Sequence, residues 1–147
     1  MMYMHQDSPP SCACTTLRKA ARAVARVYDE ALAESGMTTA QFSILRTVAP
    51  AEPMPLSRIA DELVMDRTSL YRAVAPLEAK GWVRIEPGQG KAKRVTLTPA
   101  GREAIAAAVP AWEAVQRRIT GGMSPDLWGN LGTALRALTE AAQRAGR

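Results

Sequence analysis

The chain is poor in the residues that build covalent and metal-held frameworks. Its 147 residues include two cysteines, one histidine and one phenylalanine. Two cysteines are too few for a disulfide scaffold or a four-cysteine zinc site. The single histidine, His5, stands in an N-terminal stretch, so no Ser/His/Asp or metal constellation forms and enzyme activity is not expected. No apolar run reaches the roughly 18 residues that a spanning helix needs. No Lys or Arg precedes Arg18 and no apolar h-region follows, so a secretory leader is not expected. The expectation is a cytoplasmic protein, with reduced thiols, no cofactor and no membrane partner.

Acidic residues are scarce in one place. The net charge is +5. Between Arg67 and Arg94 stand seven basic residues (Arg67, Arg72, Lys80, Arg84, Lys91, Lys93 and Arg94) against two acidic ones, Glu78 and Glu86. The rest of the chain balances at twelve against twelve. An excess confined to one short segment points to a phosphate-facing surface more than to a generally solvated one. A non-specific architectural DNA binder would spread its charge further.

The length suits one domain, or one domain with an arm. Residues 1–14 are polar and proline-containing and read as a loose arm. From a cap at Thr15 or Thr16, Leu17, Ala20, Ala21, Val24, Val27, Tyr28 and Ala31 recur at helical spacing, and Gly36 stops the helix. "TTAQFSILRTVAP" gives a second helix, and "EPMP" reads as a loop. "LSRIADELVMDRTSLYRAVAPLEAKG" splits into two helices, with inner stripes Leu56/Ile59/Ala60/Leu63 and Leu70/Val74/Leu77. Asp66 is the cap between them, and Gly81 ends the second. "WVRIE" and "RVTLT" are strand-like runs around the turn "PGQGKAK". Thr98–Pro99 opens a long helix, and Ser124–Pro125–Asp126 opens the last. That helix carries Leu127, Leu131, Leu135 and Leu138.

The predicted fold is therefore mainly α with a small β-hairpin wing. A helix–turn–helix with a basic hairpin behind it is a winged helix–turn–helix, spanning about 38–98. Its second helix suits the DNA major groove and its hairpin the neighbouring minor groove. Arg67, Thr68, Ser69, Tyr71 and Arg72 lie outside the Leu70/Val74/Leu77 stripe, and Ser57 opens the preceding helix. Arginine can pair bidentately with guanine, and hydroxyls can reach bases or phosphates. Lys91, Lys93 and Arg94 on the hairpin complete the candidate DNA-binding set.

These residues resemble the MarR family of bacterial transcription regulators. The resemblance covers about Cys14 to Gln143 and is most specific in "LSRIADELVMDRTSLYRAVAPLEAKGWV" and "VTLTPAGREAI". It implies a domain over 15–147 and a homodimer through helices at about 15–35 and 99–145. It also implies a palindromic DNA operator, with release by a small aromatic or phenolic effector or by an oxidant. The apolar stripes of the terminal helices fit this, since one winged domain cannot cover them.

Two positions depart from the family. Its wing usually carries Asp-x-Arg, where this chain has Gln89, Gly90 and Lys91. Lysine lacks the flat guanidinium fork and the anchoring Asp, so a more flexible wing and weaker minor-groove reading are expected. Pro76 falls inside the recognition helix, removes a hydrogen bond to Arg72 and should kink it.

The family's effector cleft would be lined here by Arg22, Arg26, Tyr28, Phe42 and Trp112. Phe42 and Trp112 also suit core and dimer packing. Cys14 matches the reactive position of the branch resembling organic-hydroperoxide repressors, and Tyr28 stands at that branch's fourteen-residue spacing. The branch's second Tyr is Arg18 here. Cys12 and Cys14 leave several readings open: a peroxide-sensing thiol, a disulfide within or between subunits, a Cys-x-Cys metal site with His5, or inert first-turn residues.

Overall fold

The structure is a computed structural model that describes residues 12–147. Six helices and three short strands follow in the order α1 (Ala13–Leu32), a 3-10 turn (Ala33–Ser35), α2 (Thr39–Val48), β1 (Met54–Pro55), α3 (Leu56–Leu63), α4 (Arg67–Ala79), β2 (Val83–Pro87), β3 (Lys93–Leu97), α5 (Pro99–Gly121) and α6 (Pro125–Ala145). The winged helix–turn–helix is present as predicted. Thr38 with Gln41 forms a capping box on α2. Asp66 caps α4, Thr98 caps α5 and Ser124 caps α6.

The first helix starts earlier than the threonines suggested. Its cap is Cys12, whose Sγ accepts from the Thr15 N–H at 3.5 Å, so Ala13 and Cys14 are helical rather than part of the arm. Oxygen is the usual capping atom, and here the sulfur of Cys12 fills the same role. His5 and the rest of the arm lie outside the described residues. "EPMP" is not wholly a loop, because Met54 and Pro55 form an edge strand. The sheet order is β1-β3-β2, antiparallel throughout, with Met54 opposite Val95 and Val83 opposite Leu97. A two-residue strand has no periodicity to detect. α4 runs unbroken from Arg67 to Ala79 through Pro76.

The core joins the helix–turn–helix to the wing and to α5. Leu45 and Val48 of α2, Ile59 of α3, Leu70, Val74 and Leu77 of α4, Val83 and Val95 of the wing, and Ala108 of α5 are all buried. Burying each larger aliphatic side chain is worth about 1.5–3 kcal/mol. α6 is different: among the described residues it buries none of its own. Leu127, Trp128, Leu131, Leu135 and Leu138 all stand exposed, as do Leu17 and Val24 of α1.

The tightest joint is between α5 and the start of the wing. A Cβ on Gly101 would lie 2.0 Å from the carbonyl oxygen of Trp82 and 2.9 Å from its carbonyl carbon. Backbone, not a flexible side chain, occupies that space. Gly101→Ala should therefore push α5 off the wing and destabilise the fold by about 2–4 kcal/mol. Urea melts would read this, and an unchanged midpoint would show that the joint can open without cost.

Candidate nucleic-acid interface

The recognition helix and the wing meet around one cleft. It has a volume of about 340 Å³ and is lined by Leu56, Ser57, Arg67, Leu70, Tyr71, Lys91, Ala92 and Lys93. Leu56 and Leu70 form an apolar floor. Three cations and two hydroxyls stand around the rim. Five of the nine predicted DNA-binding residues are brought together here, from α3, α4 and the hairpin. The other four are placed differently. Thr68 and Arg72 are exposed on α4 outside the cleft. The Ser69 hydroxyl donates to Asp66 Oδ2 at 2.7 Å, so it is engaged in the cap. Arg94 lies across the sheet from Glu86 and packs beside Gly88.

The electrostatics of the α4 end are specific. Asp66 Oδ1 also accepts from the Ser69 N–H at 2.8 Å. Hydrogen bonding from Ser69 holds the Asp66 carboxyl below its usual value. Arg67, the first helical residue, sits at the positive end of the helix dipole, where a cation is disfavoured by a few tenths of a kcal/mol. A phosphate placed there would satisfy both the arginine and the unpaired N–H groups of the first turn.

The hairpin tip is a tight turn. Gly88 N–H donates to Ala92 O at 2.7 Å, Ala92 N–H donates to Gln89 O at 3.1 Å, and Gly90 adopts φ +63°. Glu78 Oε2 accepts from the Ile85 N–H at 3.3 Å, tying α4 to β2. Lys80 Nζ donates to Gly36 O at 2.5 Å and lies 4.4 Å from the centre of the Trp82 ring.

The residues predicted for an effector cleft separate into three groups. Phe42 is buried and its ring centre lies 5.8 Å from that of Trp112. Arg46, which the sequence reading missed, lies 4.4 Å above Trp112 and 5.6 Å from Phe42. One turn of spacing from Phe42 was its only signal. Tyr28 donates to Gln116 of α5 instead of joining that stack, and burial raises its phenol pKa. Arg22 and Arg26 are exposed on α1. Cys14 and Tyr28 share one helix, so within a protomer they stand about 21 Å apart along its axis.

The depressed carboxyl of Asp66 gives a pH signature. Its contribution to the α4 cap is present above the unfolded-state value and is lost as pH falls through the lower folded value. Wild-type stability should therefore decline toward acid more steeply than that of Asp66→Asn, which keeps a cap oxygen without the titration. Parallel slopes for the two proteins between neutral and acid pH would remove this role.

Comparison with known proteins places these features. A model described as "MarR family" matches residues 35–94. The transcriptional regulator MosR of M. tuberculosis, solved in complex with DNA, is 34% identical, with 92% of this chain and 98% of that chain covered and a TM-score of 0.85. A mutant MarR of E. coli, solved with operator DNA, is 22% identical with a TM-score of 0.77 over 85% of this chain and 91% of that chain, and shares the fold. An uncharacterized HTH-type transcriptional regulator of Bacillus cereus is 27% identical over 85 residues, 58% of this chain; the match spans 57% of that relative's length. Identity above 30% over nearly the whole length of MosR, joined to the family match on the winged segment, establishes that the chain belongs to the MarR family of transcriptional regulators.

Proposed function

We propose that this protein is a homodimeric regulator that binds double-stranded DNA at a palindromic operator, acts as a repressor, and is released by a small aromatic effector or by oxidation. The observation that carries DNA binding is the cleft itself. Arg67 on the recognition helix and Lys91 and Lys93 on the wing come from separate elements and face one concavity. Arg72, exposed on the next turn of α4, is a side chain suited to bidentate guanine reading. Homodimerisation is supported by α6, whose apolar stripe stands exposed among the described residues. Two symmetric heads match a two-fold operator. MosR and the E. coli protein were solved with DNA, which supports the same partner here.

The effector side is carried by the Phe42–Trp112–Arg46 stack. An aromatic acid stacked on the part-exposed face of Trp112 would place its carboxylate on Arg46. A thiol reading has its own observation, and it moves the emphasis from Cys14 to Cys12. Hydrogen bonding from Thr15 lowers the Cys12 thiol pKa, and both cysteines are exposed. A hydroperoxide would oxidise the Cys12 thiolate to a sulfenate and leave as the alcohol. A second thiol would then form a disulfide with loss of water. For the metal alternative, no group of three His, Cys, Asp or Glu side chains comes together among the described residues.

Operator DNA and a scrambled duplex titrated across a salt series test the central reading. The operator should bind at least 10³-fold more tightly, and equal affinities would overturn it. Arg72→Ala should cost about 1–3 kcal/mol on the operator and much less on scrambled DNA. For the thiol reading, mild organic hydroperoxide should release wild-type protein but not Cys12→Ser. Wild-type protein that stays bound would exclude it.

A further inference from the structure

Strand β3 is central in the wing sheet, yet one of its sides is thinly paired. β1 supplies only Met54 and Pro55, and Pro55 has no N–H to give. On the other side β2 follows β3 along its full length, and the Thr98 N–H reaches Trp82 O at 3.0 Å. The alternation of an antiparallel ladder then sends the N–H and C=O of Leu97 toward the β1 side, where the strand has already ended.

Two side chains take over there. The β1–β3 register, extended by two residues, sets Glu52 opposite Leu97. Glu52 answers with its carboxylate in place of its backbone: Oε2 accepts from the Leu97 N–H at 3.2 Å. Its Oε1 pairs with Arg102 of α5. Arg102 Nη1 donates to Leu97 O at 3.1 Å. Both backbone polar groups of Leu97 are thus held from outside the sheet, by a closed ring of carboxylate, guanidinium and peptide. The Glu52 side chain is 15% exposed and that of Arg102 53% exposed, so the carboxylate is the sheltered member.

The position of this ring has a mechanical consequence. It grips the base of the hairpin whose far end carries Lys91 and Lys93. Lys93 stands about 13 Å up the strand from Leu97. A tilt of roughly 10° at the base would therefore move the tip by about 2 Å, enough to break a charge-assisted hydrogen bond to a phosphate.

We propose that Glu52 and Arg102 are positioning residues that set the angle of the wing against α5, and so decide whether Lys91 and Lys93 engage DNA together with the recognition helix. The proposal rests on the DNA-binding reading above. The ring joins the helix that leads toward the dimer side to the hairpin that meets the minor groove. It bypasses the recognition helix.

The test is the salt dependence of operator binding by Glu52→Gln, read by fluorescence anisotropy well below the melting temperature, with melts run in parallel. Glutamine keeps an acceptor for the Leu97 N–H but cannot pair with Arg102 as an ion. Each phosphate contact contributes about 0.9 to the slope of log Kobs against log salt. Losing two wing lysines should flatten it by about 2 for each bound protomer. The Lys91→Ala/Lys93→Ala double variant should flatten it equally, and adding Glu52→Gln to that background should change nothing more. A wild-type slope in Glu52→Gln, even with a lower melting temperature, would overturn the positioning role and leave the pair a simple brace. Wild-type protein with no salt-dependent operator affinity would instead overturn the DNA-binding reading. If Glu52→Gln does not fold, Arg102→Lys takes its place. It keeps the charge but loses the fork that reaches both Glu52 and Leu97, and the same slope decides.

Discussion

The backbone of Trp82 leaves room for hydrogen and nothing larger at residue 101, and the arrangement of the rest of the molecule depends on that contact. Because α5 can come so close, the Thr98 hydroxyl reaches Gly81 O at 2.5 Å while also receiving the Gly101 N–H. Lys80, one residue before that glycine, bridges to the corner between α1 and α2 and lies on the Trp82 ring. The end of the recognition helix, the first residue of the wing, the start of α5 and the α1–α2 corner are therefore tied within three residues, 80 to 82. A disturbance of α5 has no soft layer to dissipate in before it reaches the wing.

Charge is placed along the same lines. The cations of the cleft lie on two elements that leave this joint in different directions, α4 and the hairpin. The one sheltered carboxylate nearby, Glu52, faces an arginine on α5, not the cleft. No carboxylate stands among the residues that line the cleft, so its three cations face it unopposed. Exposed pairs such as Arg84 with Glu86, at 3.9 Å, add little.

Much of this was legible in the residues. Apolar spacing located all six helices, and Asp66, Thr98 and Ser124 marked three of their starts, because an oxygen cap has a recognisable residue type. The basic hairpin was legible from a turn between two alternating runs. What escaped has a common cause: it depends on distant partners. Gly101 looked like any helical glycine until Trp82 was set against it. Glu52 sat in an apparent loop, and only the register of β3 shows its role. Arg46 is one arginine among many until Trp112, 66 residues on, arrives beneath it. Cys12 capped a helix that threonine seemed better suited to begin. The wing departure, Gln89–Gly90–Lys91, was legible both as chemistry and as a turn, because its hydrogen bonds are local.

One residue between α3 and α4 does not prefer the conformation it holds. Val64 ends α3 with φ +54° and ψ +45°, and the residue is 59% exposed. For a β-branched residue the left-handed region costs about 1–2 kcal/mol. The turn of the helix–turn–helix is held by the packing of Leu56, Ile59 and Ala60 against the core, against its own preference. The hinge between the two helices is thus cocked like a spring. Any event that loosens the packing of α3 gains the stored strain as well, so the recognition helix departs from its working geometry more readily than its buried leucines alone would suggest.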